Sequence, residues 1–407
     1  MRLRRMDNGN ILITVFTPAY NVENYIVQCI ESVLNQTYKN FEWIIVENAS
    51  TDSTPEIIET YAKLDSRIRV IYHAVNKNNF AQNYIKQYAR GKYIVKIDSD
   101  DWLEPDYLEK LLYPLEKHKA DISMCGAIDY EEETGKEFPH EYGELNGVYL
   151  EEDIKDHFIE MRSYLGTYWG KMFRKDIFCA ILPEMKSIEE KLKEGKNFGG
   201  DTAFILYYLM ECKKIIFINK RMYHYRIHSN GYAACTMGVG RISCYLTLRN
   251  IEKQFLNKCN AETEENNMLV DVTVWTNLEK LLKSIINSNL LLGKKLEIIH
   301  EIYIDPRIKQ LREECCNSKI RTILSTYAAW YFMNMEGEQA KDLRDILILL
   351  EPDIFVNITD NTYEWMSQQQ ELMAYIIIGE FAGAKEYVRQ IITESNKNYI
   401  SELMRWI

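Results

Sequence analysis

The N-terminal part of the chain alternates two hydrophobic periods, and that alternation limits the folds open to it. Residues 11–16 form a short β-branched run closed by Thr17-Pro18, after which Ile26, Ile30, Val33 and Leu34 recur at helical spacing. A second apolar run at 41–46 leads into Ser50-Thr51-Asp52-Ser53-Thr54-Pro55, a cluster of helix-capping side chains with proline placed for the first turn. A third run covers 68–72, a helical pattern 80–88, and a fourth run 93–97. Repeated βα units predict an α/β domain with a mainly parallel sheet and helices on both faces. Ligands of such sheets bind beyond the carboxyl ends of the strands. The polar clusters 17–21, 47–51 and 98–101 all fall at those ends.

Further along, a strand is expected from Asp121 to Tyr130, followed by Glu131-Glu132-Glu133-Thr134-Gly135-Lys136 as a solvated hairpin tip. Residues 151–176 read as helical and then mixed, and 215–219 as a short edge-like strand. After about Gly240 strand signals fade, and helical spacing such as Leu278, Leu281, Leu282, Ile285 and Ile286 takes over. These changes predict a boundary near 237–242, with one domain at 1–238 and an all-helical one at 239–407. Residues 372–391 resemble one helical hairpin of a solenoid, but no second copy follows at a fixed period, so an ordinary helix pair is expected.

Composition excludes several function classes. The net charge of −11 over 407 residues argues against nucleic acid or an acidic membrane surface as the main partner. Nine scattered cysteines without C-x-x-C spacing read as reduced thiols, Cys315-Cys316 as helix packing, and the protein as cytoplasmic. Met1-Arg2-Leu3-Arg4-Arg5 is basic, yet no apolar stretch of leader length follows it, and no run approaches a membrane-spanning helix. Work at a membrane is therefore expected only peripherally, at the inner face. No G-x-G-x-x-G follows the first strand and no phosphate-loop motif occurs; Gly238-Val239-Gly240 is in the wrong place for either.

The fourth apolar run ends in Ile97-Asp98-Ser99-Asp100-Asp101-Trp102. One reading makes Asp101 or Glu104 the cap of a helix whose first turn holds Pro105. It leaves Asp98 and Asp100 unexplained, since neighbouring carboxylates at a strand exit repel unless a cation lies between them. The other reading makes them ligands of Mg2+ or Mn2+, hard cations that bind one or two carboxylates together with substrate phosphates.

The successive segments Thr14-Val15-Phe16-Thr17-Pro18-Ala19-Tyr20-Asn21, Ser32-Val33-Leu34-Asn35-Gln36-Thr37-Tyr38, Glu42-Trp43-Ile44-Ile45-Val46-Glu47-Asn48-Ala49-Ser50-Thr51-Asp52 and Gly91-Lys92-Tyr93-Ile94, followed by Asp98-Ser99-Asp100-Asp101, resemble family 2 glycosyltransferases of the GT-A fold. The resemblance covers about the first 110 residues in order and spacing. It implies an inverting transfer of sugar from a nucleotide-diphosphate donor, UDP-sugar foremost, to a glycan or lipid-linked glycan acceptor. It implies that Asp98 and Asp100 hold the metal, that Thr17, Pro18, Tyr20, Glu47, Asn48 and Ser99 line the donor, and that Asp201 in Phe198-Gly199-Gly200-Asp201 is the general base. Helix capping is the plain alternative for Asp201. Trp169 and Lys171, in Tyr168-Trp169-Gly170-Lys171-Met172-Phe173-Arg174, resemble the family's acceptor-side segment; a buried tryptophan and a surface lysine are the alternatives. His228, closing Tyr223-His224-Tyr225-Arg226-Ile227-His228, matches a histidine that completes the metal site or meets the diphosphate.

Three departures stand out. Glu47-Asn48-Ala49-Ser50 replaces the family's usual Asp-Asp-Gly-Ser, and Asn48 is able to accept from uracil N3–H or donate to cytosine N3. Ala81-Gln82-Asn83 lacks the usual arginine, and Asn76-Lys77-Asn78-Asn79-Phe80 replaces a glycine-rich approach. A polysaccharide-building enzyme, working alone, as a homo-oligomer or in a membrane-associated complex, is expected. The alternative is a non-catalytic nucleotide-sugar or glycan-binding subunit of the same fold.

Overall fold

The computed structural model describes residues 11–75, 81–140, 145–228 and 240–286, a few positions between 288 and 302, and 305–314. The segments 76–80, Cys315-Cys316 and 372–391 lie outside the described residues, as do the side chains of Gln82 and Asn83. Strands β1 (Ile13–Ala19), β2 (Phe41–Glu47), β3 (Ile68–Tyr72) and β4 (Tyr93–Lys96) alternate with helices α1 (Ile26–Leu34), α2 (Thr54–Leu64) and α3 (Ala81–Tyr88). All four strands are parallel, in the order β3-β2-β1-β4. The chain moves outward from β1 to β3 and then crosses to β1's other side, so the topological switch point lies between β1 and β4. A crevice opens at such a point beyond the carboxyl ends of the two strands. Those ends carry Thr17–Tyr20 and Asp98–Asp101.

The other half of the sheet is mixed. Next come β5 (Trp102–Leu103), α4 (Tyr107–His118), β6 (Ile122–Glu131) and the hairpin partner β7 (Lys136–Pro139). They are followed by β8 (Gly147–Leu150), α5 (Ile154–Met161), β9 (Lys171–Arg174), α6 (Lys175–Ala180), α7 (Leu182–Leu192), α8 (Gly200–Leu209) and β10 (Lys214–Ile227). β9 inserts between β4 and β6, antiparallel to both. The run at 215–219 is no short edge strand. It opens the 14-residue β10, which is parallel to β6 and antiparallel first to β8 and then to β5. Register shifts on either side of Arg221 interrupt its periodicity, which is why sequence reading stopped it early.

Every residue of β2 is buried, as both faces of the sheet are covered. Alternation sorts the strand side chains. Phe16, Ile44, Val46 and Ile94 pack in the cluster that contains Phe204 and Tyr208 of α8, whereas Val15, Trp43, Ile45 and Val95 pack with Ile30 of α1 and Leu111 of α4. Gly91 lets β4 start hard against β1. A Cβ there would lie 2.4 Å from the Thr14 backbone nitrogen, while the Gly91 N–H donates to Thr14 Oγ1 at 2.9 Å.

After residue 240 the described elements are helices: α9 (Gly240–Lys258), α10 (Glu264–Ile286) and α11 (Pro306–Glu314). Residues 243–270 belong to the same compact unit as the sheet, and the remaining described residues from 271 belong to a second. Within the first unit Phe255 packs on Phe158, and Arg162 reaches the buried Glu252 at 2.8 Å. No described helix is long and apolar enough to cross a membrane.

Candidate functional site

The acidic loop after β4 is built by the end of β10. The Asp98 N–H donates to Tyr223 Oη (3.1 Å), and that hydroxyl donates to Asp101 Oδ2 (2.6 Å). Asp101 Oδ1 accepts from the Arg226 N–H (2.8 Å), and Arg226 Nε donates to the Asp100 carbonyl oxygen (2.8 Å). The Arg226 guanidinium is enclosed by the rings of Trp102, Tyr25 and Tyr130 at 4.7, 4.9 and 5.3 Å, and it pairs with Glu132. Asp101 is thus no helix cap. Asp106 holds the N-cap position of α4, without a side-chain cap bond, and Pro105 precedes the helix. Burial, reinforced by Asp100 and Asp98, raises the Asp101 carboxyl well above the usual range.

Asp98 and Asp100 turn to different partners. His228 Nε2 lies 3.0 Å from Asp100 Oδ2, its ring 4.8 Å from that of Tyr25, and its buried Nδ1 has no hydrogen-bond partner among the described residues. Asp98 Oδ1 instead faces Lys96 Nζ at 2.9 Å. Burial and the neighbouring Asp98 raise the Asp100 carboxyl, and His228 opposes the shift. Among the described residues no group of three or more His, Cys, Asp or Glu side chains is placed to hold a metal ion by itself. Asp100 and His228 present one oxygen and one nitrogen donor, an incomplete set that phosphate oxygens would fill. The pair therefore fits a divalent ion shared with a diphosphate.

Asp201 arrives from α8. Gly199 occupies the cap position at φ 78°, so Asp201 stands in the first turn instead of capping the helix. Its carboxylate accepts the Tyr168 N–H and lies within electrostatic reach of Lys96, Asp98 and Lys171. Burial raises its pKa, the Lys96 ammonium countering. A carboxylate from α8 and one from the loop after β4 thus share a single neighbourhood.

The remaining site residues divide by exposure. Tyr20 is 43% exposed at the rim, and Asn48, 6% exposed, joins its backbone N–H to the Ala19 carbonyl beside it. The Asn48 Oδ1 is buried without a hydrogen-bond partner. Glu47 is engaged internally: its two oxygens accept the N–H groups of Ser50 (2.7 Å) and Ala49 (3.1 Å), the latter residue at φ 59°. Thr17 is buried and its hydroxyl accepts from Trp43 Nε1. Pro18 is half-buried and Ser99 buried.

On the other side, Trp169 is 4% exposed, stacked on Tyr223 at 4.6 Å and on Tyr225 at 5.4 Å. Lys171 is buried, donating to Thr167 O, Thr167 Oγ1 and Trp169 O at 2.6, 3.0 and 3.2 Å. Burial pulls its ammonium down to about 7. Both side chains thus take buried positions that shape the turn before β9. Sequence reading missed Lys96, Tyr223 and Arg226. The signal for Lys96 was a lysine inside an otherwise apolar strand, two residues before Asp98.

Residues 14–180 match the model of glycosyl transferase family 2. The glycosyltransferase GlyG of Streptococcus pneumoniae is 33% identical over 227 residues, which cover 54% of this chain and 71% of GlyG. The chain belongs to glycosyl transferase family 2. GlyA of the same organism is 33% identical over 224 residues, 53% of this chain but 30% of GlyA. Chondroitin synthase of Escherichia coli is 38% identical over 114 residues, 28% of this chain and 16% of that protein. This family 2 chain thus spans well under two thirds of GlyA and of chondroitin synthase. Its α/β sheet with helices after residue 240 agrees with the GT-A architecture that the resemblance implied. The family match ends before Asp201 and His228.

Proposed function

We infer that the protein is an inverting glycosyltransferase that moves a sugar from a nucleotide-diphosphate donor, UDP-sugar foremost, to a hydroxyl of a glycan or lipid-linked glycan. The observation that supports this reading is the contact of Asp100 with His228 in the acidic loop at the β1/β4 switch point, with Asp201 within electrostatic reach of the neighbouring Asp98. Tyr20, exposed at the rim, is the residue placed to stack on the base. Asp100 and His228, with Asp98 beside them, would hold Mn2+ or Mg2+, which supplies positive charge opposite the departing diphosphate. Asp201 takes the proton of the acceptor hydroxyl as that oxygen attacks the anomeric carbon opposite the leaving group. Burial raises its pKa, which strengthens it as a proton acceptor. The likeness to chondroitin synthase supports a polysaccharide product.

The test is a screen of uridine, cytidine, guanosine and thymidine diphosphate sugars by thermal shift and donor hydrolysis, with and without Mn2+. Metal-dependent stabilisation by a uridine nucleotide, with turnover, is expected. If no nucleotide stabilises the protein in the presence of metal, the reading is wrong.

A further inference from the structure

Lys96 is an anomaly of the strand that carries it. β4 reads Tyr93-Ile94-Val95-Lys96, its first three residues buried, and a lysine in such a run is costly unless its charge is met. The two-residue period of β4 puts Lys96 on the face that bears Ile94, and Ile94 packs in the cluster that contains Ala203 and Phe204 of α8. Lys96 is thereby aimed at the helix that carries Asp201. Its ammonium sits 2.9 Å from Asp98 Oδ1 and 5.2 Å from the centroid of the Tyr168 ring, and the N–H of that same Tyr168 is held by Asp201. Asp98 and Asp201 are the opposite charges that Lys96 feels most.

One carboxylate oxygen cannot serve two cations equally. Asp98 is the candidate metal ligand whose oxygen is already occupied by a cation, whereas Asp100 faces His228. A tethered ammonium competes at high effective concentration with any ion arriving from solution. A bound diphosphate changes that balance, because lysine is a good point-charge partner for phosphate and gains there an anion to replace Asp98.

We propose that Lys96 is a resident counter-cation that occupies Asp98 in the empty site and yields it when a nucleoside diphosphate arrives, so that the divalent cation enters with the nucleotide and not ahead of it. This rests on the transferase reading and adds an order of binding to it. Lys96 acts through Asp98 and is a positioning residue. By linkage, its presence makes the affinities for metal and nucleotide depend on one another more steeply.

The experiment is a titration of the full chain with Mn2+, followed by electron paramagnetic resonance of the free ion, without nucleotide and at saturating UDP. Wild type is expected to bind Mn2+ weakly alone and tightly with UDP. Lys96→Met is expected to bind Mn2+ alone at least about fivefold more tightly than wild type, with a smaller gain on adding UDP. Lys96→Arg, which keeps the charge, should behave as wild type. Lys96→Gln repeats the measurement if circular dichroism shows Lys96→Met to be unfolded. Nucleotide-free Mn2+ affinity unchanged or weaker in the neutral variants overturns the proposal while leaving the transferase reading intact. No Mn2+ binding by wild type even at saturating UDP overturns the transferase reading itself.

Discussion

His228 Nε2 stands 3.0 Å from Asp100 Oδ2, although 128 positions separate them in the chain. The contact joins the residue that follows β10 to the loop after β4, and it provides the N,O donor pair on which the metal reading depends. In His228→Ala, metal-dependent stabilisation by UDP should weaken at least about tenfold in Mn2+ concentration, the scale on which a metal site responds to a lost supporting group. Thermal shift against Mn2+ concentration measures it, and an unchanged midpoint would remove His228 from the site.

Asp201→Asn preserves shape and removes the base. Sugar transfer is expected to fall by about 10²- to 10⁴-fold while Mn2+-dependent UDP binding persists. Loss of both together would make Asp201 a structural member of α8, and full activity would assign the base elsewhere. Single-turnover assays beside calorimetric UDP binding separate the cases.

Asp101 is a fold prediction. Its carboxylate serves the Tyr223 hydroxyl and the Arg226 N–H and is 1% exposed. Asp101→Ala leaves both donors without an acceptor, a loss of about 1–3 kcal/mol in unfolding free energy for each. Urea denaturation reads it directly. A loss below about 1 kcal/mol would show that water replaces the carboxylate.

Lys171 gives a pH dependence of known sign. Its ammonium is depressed from the ordinary 10.5 to about 7 by burial, so between those values the unfolded chain holds a proton that the folded chain has released. Stability from this group is therefore complete above the unfolded value and is lost as pH falls toward 7, at up to about 1.4 kcal/mol per pH unit. Lys171→Met should flatten unfolding free energy between pH 7 and 10 relative to wild type. Parallel slopes in the two proteins would mean that the three oxygens around Nζ keep it charged.

The four N-terminal strands, their helices and the polar rim were all readable from the chain, since apolar period and capping chemistry are local properties. So was the candidacy of Asp98 and Asp100, carboxylates placed at a strand exit. The long β10 was not, because its bulges around Arg221 break the alternation on which a strand is recognised. Nor was the division of labour in the acidic knot. Asp101 looked like a cap from its neighbours, but its partners are Tyr223 and Arg226, more than 120 positions away.

The sequence by itself thus determined the family and a parallel βα half-sheet with a charged edge, because each of those depends on residues a few positions apart. Only the tertiary structure decided that Asp98 faces Lys96, that Asp100 faces His228, that Asp101 is sealed by β10, and that Asp201 of α8 comes within electrostatic reach of Lys96 and Asp98. Those choices depend on strand register and on which face each helix covers. A charged side chain in a low-dielectric cleft takes whichever distant partner that packing brings within reach.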